Sequence, residues 1–312
     1  MMHLRKRAST TMIAVLLITI GCSGATAADA GAASPCGTRA LSATDYSHVI
    51  WVWMENHSYS TIIGSPQAPY LNNLAGQCGL ATNYHNISHP SLPNYIAATS
   101  GLPLMDLTPF SSDCRPSRKC RTSAPSIFSQ VPSWKAYEES MPKACDRKDK
   151  GEYAVRHNPP PYYTTLAACT GKDVPYSQLA SDLAGGTLPA FSFITPNLID
   201  DMHDGSIAEG DAWLQRNLPA ILTSSEYQSG TVVLAITWDE GEGGASNDCA
   251  TNTTDTGCHV PTVLISPSTA PGTQSSTLFN HYSLLRSTEQ LLGVAPLDEA
   301  AAANSMLAAF NL

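Results

Sequence analysis

The stretch HVIWVWMENHS, residues 48–58, indicates the fold class. After His48 it runs through β-branched, aromatic and other apolar residues without polar alternation, which is typical of a strand buried on both faces. Three later runs have the same character: Phe191–Thr195, Thr231–Trp238 and Val260–Ser266. We therefore expect a sheet whose central strands are covered on both sides.

Helical patterns lie between and after these runs. Ser206 and Glu209 form a capping box before an apolar stripe, and a second stripe, Leu284 to Leu292, ends at Gly293. The alternation of strands and helices predicts an α/β fold with a mostly parallel central sheet. The alanine-rich residues 299–312 are expected to form one closing helix.

Residues 103–180 break this rhythm. They are rich in Pro, Ser, Lys and Arg and contain four cysteines, so we interpret them as an irregular, disulfide-pinned insertion over one end of the sheet. Ten of the 14 Lys and Arg residues that follow residue 28 lie between Arg115 and Arg156, beside only five acids. This basic segment is either a solvated loop or a flap that attracts an anionic substrate.

The N-terminus has the pattern of an export signal. His3–Arg7 is basic, Met12–Ile20 is apolar but too short to span a bilayer, and Ala25–Ala27 offers small residues for cleavage. We predict a signal peptide over residues 1–28, an N-terminal extension over 29–45, a single domain over 46–312 and no transmembrane segment. Alternatively, Ile18–Cys22 is a lipoprotein box, and Cys22 would anchor the protein to a lipid.

Cysteine and charge counts narrow the function classes. Besides Cys22 there are eight cysteines, which favours four disulfides in an exported chain; without a C-x-x-C spacing, a zinc cluster is disfavoured. Residues 29–312 carry 14 basic and 26 acidic side chains, which argues against nucleic acid as a partner. Three disulfides are plausible between cysteines close along the chain: Cys114/Cys120, Cys145/Cys169 and Cys249/Cys258. These leave Cys36/Cys78 as the fourth pair.

Polar residues follow three of the predicted strands. Glu55 and Asn56 follow the first, Asp239 and Glu240 follow the third, and the stretch 196–205 follows the Phe191 strand. The carboxyl ends of parallel strands meet at one edge of a sheet, and carboxylate and amide oxygens suit Mg, Ca or Mn. Each stretch alone could be an ordinary polar turn; the three together predict a cation site.

HPSLPNYIAATSG, residues 89–101, supplies a candidate nucleophile. Pro93 suits the first turn of a helix and Gly101 can end it, which places Ser91 just before the helix N-terminus. Unpaired N–H groups and the positive end of the dipole bind phosphate there and favour an alkoxide. A nearby metal would lower the pKa of the hydroxyl further. The alternative is that Ser91 only caps the helix.

Taken together, these motifs resemble the bacterial phosphoesterase family, which includes secreted acid phosphatases, phosphatidylinositol-3-phosphatases and phospholipases C. The similarity covers residues 46–293 and implies the three-layer fold of the alkaline phosphatase superfamily. It rests on four motifs in order: Glu55–Ser58, His89–Tyr95, Thr237–Glu240, and the pair His259–Thr262 and Asn280–His281.

The resemblance implies a role for each matching residue. Ser91 would be the nucleophile and would complete the metal shell, and His89 and His203 would bind phosphate. His203, or alternatively His259 or His281, would protonate the leaving group. One divalent metal would be expected, because a second set (Asp200, Asp201, His203 and His259) departs from the superfamily spacing. The implied metal ligands are Glu55, Asn56, Asp239 and Glu240, and the further substrate-binding residues are Asn94, His259 and His281.

We therefore expect an exported, metal-dependent acid phosphatase that forms a phosphoserine and acts on phosphomonoesters, including phosphoinositides. Phosphodiester cleavage of the phospholipase C type is one alternative. A secreted binding protein that uses Asp239–Glu242 to hold a structural calcium is another.

Overall fold

The computed structural model describes residues 1–2, 34–40, 42–166, 169–243 and 247–312. Residues Ser34–Leu312 form one unit around a continuous apolar core. Residues 3–28 of the predicted signal peptide, which include the alternative anchor Cys22, lie outside the described residues, as do residues 29–33 and 41 of the predicted extension. Within the described part of the chain, none of the helices combines the length and apolar character that crossing a bilayer requires.

Ten strands and nine α-helices are assigned within the described residues. The strands are β1 His48–Met54, β2 Gly79–Ala81, β3 Tyr84–His85, β4 Trp134–Glu138, β5 Asp173–Pro175, β6 Phe191–Thr195, β7 Val232–Trp238, β8 Thr262–Ile265, β9 Thr273–Ser275 and β10 Phe279–Asn280. The α-helices are α1 Tyr59–Ile62, α2 Pro69–Gln77, α3 Ser91–Ser100, α4 Ile127–Gln130, α5 Gln178–Gly185, α6 Ile207–Leu222, α7 Ser225–Ser229, α8 His281–Leu291 and α9 Leu307–Phe310. Short 3₁₀ turns cover Ala43–Asp45, Leu104–Phe110, Val155–His157, Pro160–Tyr162, Thr256–Cys258 and Asp298–Ala301.

Eight strands form the main sheet in the order β5-β4-β6-β1-β7-β8-β2-β9. The strand β1 is parallel to β6 on one side and to β7 on the other, and β8 is antiparallel to both β7 and β2. From Val49 to Met54 every side chain of β1 is buried. The prediction of an α/β fold with a mostly parallel sheet whose central strands are covered on both faces is confirmed.

The four disulfides also match the pairings set out from the sequence. They are Cys36–Cys78, Cys114–Cys120, Cys145–Cys169 and Cys249–Cys258. Two of them pin the segment 103–180, as expected.

Three details of the predicted fold are corrected. The segment 103–180 is not wholly irregular, because it contributes β4 and β5 to the main sheet: β4 pairs in parallel with β6, and β5 pairs in parallel with β4. The closing helix predicted for 299–312 is instead a 3₁₀ turn, Asp298–Ala301, and the single turn α9. Ser91 is the first residue of α3 rather than the residue before it.

Candidate active site

Strand register places the first two acidic side chains next to each other. Met54 of β1 is paired with Trp238 of β7, so Glu55 and Asp239 follow at the same edge of the sheet. The backbone N–H of Asp239 donates to Met54 O (3.0 Å), and the N–H of Asn56 donates to Asp239 Oδ1 (3.1 Å). The predicted meeting of the β1 and β7 ends is therefore present.

The loop after β7 stays close to the loop after β1 because of a glycine. A Cβ at Gly241 would lie 2.6 Å from Ser58 Oγ and 2.7 Å from Gly257 O. These distances are too short for any side chain, so the position requires glycine. Asn56 adopts a left-handed backbone with φ of 54°, which asparagine tolerates better than most residues. The Glu-Asn and Asp-Glu-Gly sequences thus suit the turns that carry the site.

The helix α3 brings the candidate nucleophile to this edge. Ser91 is buried, and its Oγ donates a hydrogen bond to Glu55 Oε2 (3.1 Å). One helical turn later, Tyr95 donates its hydroxyl hydrogen to Glu55 Oε1. The helix therefore holds the Glu55 carboxylate at two points and keeps the serine oxygen against it.

Asn94 shapes the loop in front of the helix. Its Oδ1 accepts hydrogen bonds from the N–H groups of Ile87 (2.9 Å) and Ser88 (3.0 Å). Its Nδ2 donates to Ser88 O (2.8 Å) and Pro90 O (3.2 Å). The sequence predicted a substrate contact for Asn94, but the structure commits both ends of its amide to positioning the loop.

A histidine from the 103–180 segment and an aspartate from the loop after β6 also lie at the site. His157 is buried between two carboxylates, with Nε2 3.3 Å from Glu55 Oε1 and Nδ1 3.3 Å from Asp201 Oδ2. Its ring stacks on Tyr95 with centroids 5.4 Å apart. The sequence analysis assigned no role to His157 or Tyr95, and the only signal near His157 was the basic segment that ends at Arg156.

The two histidines predicted to bind phosphate have different partners. His89 Nδ1 lies 2.8 Å from Glu240 Oε2, and its Nε2 has no hydrogen-bond partner among the described residues. His203 accepts a hydrogen bond from Arg156 Nη2 at Nε2 (3.0 Å), and its Nδ1 lies 2.7 Å from Asp204 Oδ1. Of these ring nitrogens, His89 Nε2 is the one without a hydrogen-bond partner among the described residues, and it is buried.

His281 and His259 support the site from outside it. His281 is fully buried, with Nε2 2.7 Å from the backbone oxygen of Asp239 and Nδ1 3.1 Å from the hydroxyl of Tyr84. His259 is stacked on Tyr59, with centroids 4.4 Å apart, and on His85 at 5.4 Å. Both were predicted to bind substrate, and that stays a prediction.

Burial raises the pKa of four carboxyl groups here. The pKa of Glu55 is raised well above its usual range by burial and by the charges of Asp239 and Asp201. Burial and the charge of Glu240 raise the pKa of Asp239 to about 7. Burial also raises the pKa of Asp201, and it raises that of Glu240 although His89 opposes the shift. So many acids crowded together favour a compensating cation.

The donor set fits a hard divalent cation. Asn56 Oδ1 and Asp239 Oδ2 are buried and have no hydrogen-bond partner within the described parts of the chain. Oxygen atoms of this kind, beside Glu55 and Glu240, are the ligands that Mg, Ca or Mn prefer. Glu55, His157 and His203 form a further group whose ligand atoms all lie within 4.8 Å of one another.

The second metal set considered from the sequence is not assembled in the predicted form. Asp200 lies 3.3 Å from Arg216, and His259 is stacked between aromatic rings. Asp201 instead contacts His157, and its backbone oxygen accepts a hydrogen bond from the N–H of Glu55 (2.8 Å).

An additional acid lies at the N-terminus of α3. Asp113 Oδ1 accepts a hydrogen bond from the backbone N–H of Leu92 (2.9 Å). Burial raises its pKa, and the hydrogen bond from Leu92 and the charges of Arg156 and His203 oppose that shift. The neighbouring turn forms one wall of a cleft of about 770 Å³ lined by Ser88, His89, Pro90, Pro93, Leu104, Met105, Leu107, Thr108, Ser111 and Asn247.

Comparison with known proteins shows what this arrangement is similar to. A family model described as the Phosphoesterase family matches residues 65–295. The phosphatidylinositol-3-phosphatase of Mycobacterium tuberculosis is 31% identical over 268 residues, which cover 85% of this chain and 83% of that protein. An acid phosphatase of Aspergillus fumigatus is 27% identical, and the match covers 81% of this chain but only 56% of the fungal protein.

Solved structures agree on the fold. A protein in the alkaline phosphatase superfamily from Vibrio parahaemolyticus has a TM-score of 0.54 at 12% identity, covering 85% of this chain and 71% of that chain. The phosphonate monoester hydrolase of Silicibacter pomeroyi has a TM-score of 0.51 at 12% identity, with coverages of 80% and 74%. The fold is therefore that of the alkaline phosphatase superfamily.

Proposed function

Because this chain belongs to the phosphoesterase family, we propose that it is a metal-dependent phosphomonoesterase that uses Ser91 as its nucleophile. The observation that carries the proposal is the contact of Ser91 Oγ with Glu55, at the first residue of a helix and beside Asp239. A hydroxyl there can attack phosphorus, because the helix N-terminus favours negative charge on the oxygen and on the phosphoryl group.

The metal would be held by Glu55, Asn56, Asp239 and Glu240, with Ser91 adjacent. When bound, it would lower the pKa of the serine hydroxyl and offset charge on the phosphoryl oxygens. The predicted preference for Mg, Ca or Mn follows from the oxygen donors. One such ion is proposed.

The side chains around Ser91 have separable tasks. Glu55 orients Oγ through its hydrogen bond, and Tyr95 and His157 hold Glu55 in turn. Arg156 and His203 are proposed to bind phosphoryl oxygens as a hydrogen-bonded pair, in which His203 would exchange its contact with Asp204 for a phosphoryl oxygen. His89 is proposed to protonate the leaving alcohol, because Glu240 holds Nδ1 and leaves Nε2 free.

The substrate is proposed from the names of the relatives, and the location from the disulfides. Phosphomonoesters are the proposed substrates, because the relatives are named as acid phosphatases and as a phosphatidylinositol-3-phosphatase. The second name makes a phosphoinositide one candidate substrate. Export is proposed because four disulfides are typical of oxidising compartments. A transient substrate complex is the only partner that this function requires.

The proposal is tested by initial rates on p-nitrophenyl phosphate and bis(p-nitrophenyl) phosphate, with and without a chelator. Release from the monoester that stops with the chelator and returns with Mg, Ca or Mn would support it. A preference for the diester would place the chain with the phospholipase C type of enzyme. Metal-dependent melting without turnover on either compound would indicate a binding protein instead.

A further inference from the structure

The N-terminus of the nucleophile helix already holds an anion that belongs to the protein. Asp113 accepts the hydrogen bond of the Leu92 N–H at 2.9 Å, one residue beyond Ser91. Unpaired N–H groups in the first turn of a helix are the groups that would otherwise bind a phosphoryl oxygen. A carboxylate at this point therefore competes with the substrate for the same donors.

The charged groups around Asp113 also indicate that it would compete with a bound phosphate. The charge of Arg156 acts on it, as does the neighbouring His203, and these are the two groups proposed above to bind phosphate; the charge of Asp113 in turn acts on Glu240. The carboxylate is thus inside the electrostatic field of the site. A phosphate dianion brought to the site would meet Asp113 as a like charge at short range.

Local structure shows how the carboxylate is held there and how it can leave. Asp113 has a left-handed backbone, with φ of 50°, and its N–H donates to Phe110 O (3.2 Å) at the end of the 3₁₀ turn. The next residue, Cys114, is tied to Cys120. On the other side, Ser111 lines the open cleft of about 770 Å³ that also exposes His89. Rotation of one side chain toward this cleft would free the Leu92 N–H without moving the helix.

We propose that Asp113 is an internal competitor of the phosphoryl group, which substrate must displace and which returns to help expel inorganic phosphate. This rests on the proposed function, since it takes Ser91 and α3 as the phosphate site. No bond is made or broken in the exchange; one anion replaces another at the Leu92 N–H. The residue would set affinity for the phosphoryl group rather than take part in the chemical step.

Asp113→Asn tests this directly, because the amide oxygen can still accept from Leu92 while the charge is gone. We expect inorganic phosphate to bind about tenfold more tightly to this variant, since a like charge is removed at short range. Titration calorimetry with inorganic phosphate, on the metal-loaded full chain carrying Ser91→Ala, measures this without relying on turnover. Asp106→Asn, an exposed acid in the same segment, is the matched control and should leave phosphate affinity unchanged.

Other results would overturn the proposal. Unchanged phosphate affinity with a lower melting temperature would make Asp113 only a helix cap. A second contrary result combines unchanged phosphate affinity with a change in rates, measured in the chain that keeps Ser91. If Asp113→Asn lost more kcat on ethyl phosphate than on p-nitrophenyl phosphate, Asp113 would be the proton donor. If Asp113→Asn does not fold, Asp113→Ser, which keeps a short acceptor, carries the same measurement. Tighter phosphate binding without turnover on any ester would uphold the competition and reject the phosphatase function separately.

Discussion

Two groups of buried acidic side chains with raised pKa values, both among the described residues, differ in what surrounds them. One is the active-site group at the ends of β1 and β7, led by Glu55 and Asp239. The other is the pair of Glu138, at the end of β4, and Asp173, at the start of β5. Burial raises the pKa of Asp173 to about 7, the same value that Asp239 reaches.

The second pair accepts its hydrogen bonds from neutral groups, although the charge of Arg147 also acts on Asp173. Asn158 donates to Asp173 Oδ1 (2.9 Å) and to the hydroxyl of Tyr153 (2.9 Å), and Thr195 donates to Glu138 Oε1 (3.4 Å). The active-site group instead faces a serine at a helix N-terminus, an imidazole and an arginine. A raised pKa therefore marks burial in both places, and only the chemistry of the neighbours separates a site from a structural pair.

Matched substitutions should separate the two groups most clearly in activity. Asp239→Asn should lower kcat/KM by about a thousandfold, which is about 4 kcal/mol, and should abolish stoichiometric metal binding. Asp173→Asn should leave both unchanged. Rates on p-nitrophenyl phosphate and metal content by elemental analysis measure the contrast. Equal losses in the two variants would remove the distinction drawn here.

The structural pair should be detected in the dependence of stability on pH. Asp173 has a folded-state pKa of about 7, above its unfolded value, so the stability it contributes is full below about pH 4 and is lost as pH rises toward 7. Asp173→Asn should therefore stabilise the protein at pH 8 by at most about 4 kcal/mol and have little effect at pH 4. Urea unfolding at both pH values checks this. Destabilisation at pH 8 would show that the ionised form is needed.

The arginine that distinguishes the active-site group should matter to a smaller degree. Arg156→Gln should lower kcat/KM by about tenfold or more, because a charged hydrogen bond of about 1.5 kcal/mol or more is lost. Arg115→Gln, which breaks the exposed pair with Asp149, is the control and should leave the rate unchanged. Steady-state rates on one monoester are sufficient. If both substitutions had the same effect, Arg156 would not act locally.

The exposed cations of the basic segment should have the smallest effect. Neutralising Arg118 and Lys119 together should raise KM for an inositol phosphate a few-fold, and less for p-nitrophenyl phosphate, because exposed charges are screened but still act on multiply charged substrates. The difference should shrink as salt is added. Equal effects on both substrates would favour a solvated loop without a role in attraction.

Much of this comparison was accessible from the sequence, and the reasons are local. Glu55 and Asp239 follow uninterrupted apolar runs, so their strands and the edge where they meet were predicted correctly. Pro93 and Gly101 indicated where the helix of Ser91 begins and ends, and the observed helix, Ser91–Ser100, begins one residue earlier than predicted. The disulfides were reached because three pairs are close along the chain.

The parts that were missed depend on contacts between distant segments. His157 and Arg156 enter the site from a segment whose composition indicated only a basic, irregular insertion. Nothing in the sequence around Trp134 or Asp173 shows that these residues extend the main sheet, because short edge strands carry little periodicity. His259, His281 and Asn94 have the residue types of a site, and only their partners show that they support it.

The central claim is that Ser91 is the nucleophile, and turnover of p-nitrophenyl phosphate by Ser91→Ala tests it most directly. Ser192→Ala, at a buried serine in β6, is the matched control for loss of a hydroxyl from the core. We predict that Ser91→Ala loses on the order of a thousandfold or more in kcat at an unchanged melting temperature, while Ser192→Ala keeps its activity. Near-normal turnover by Ser91→Ala would contradict the account.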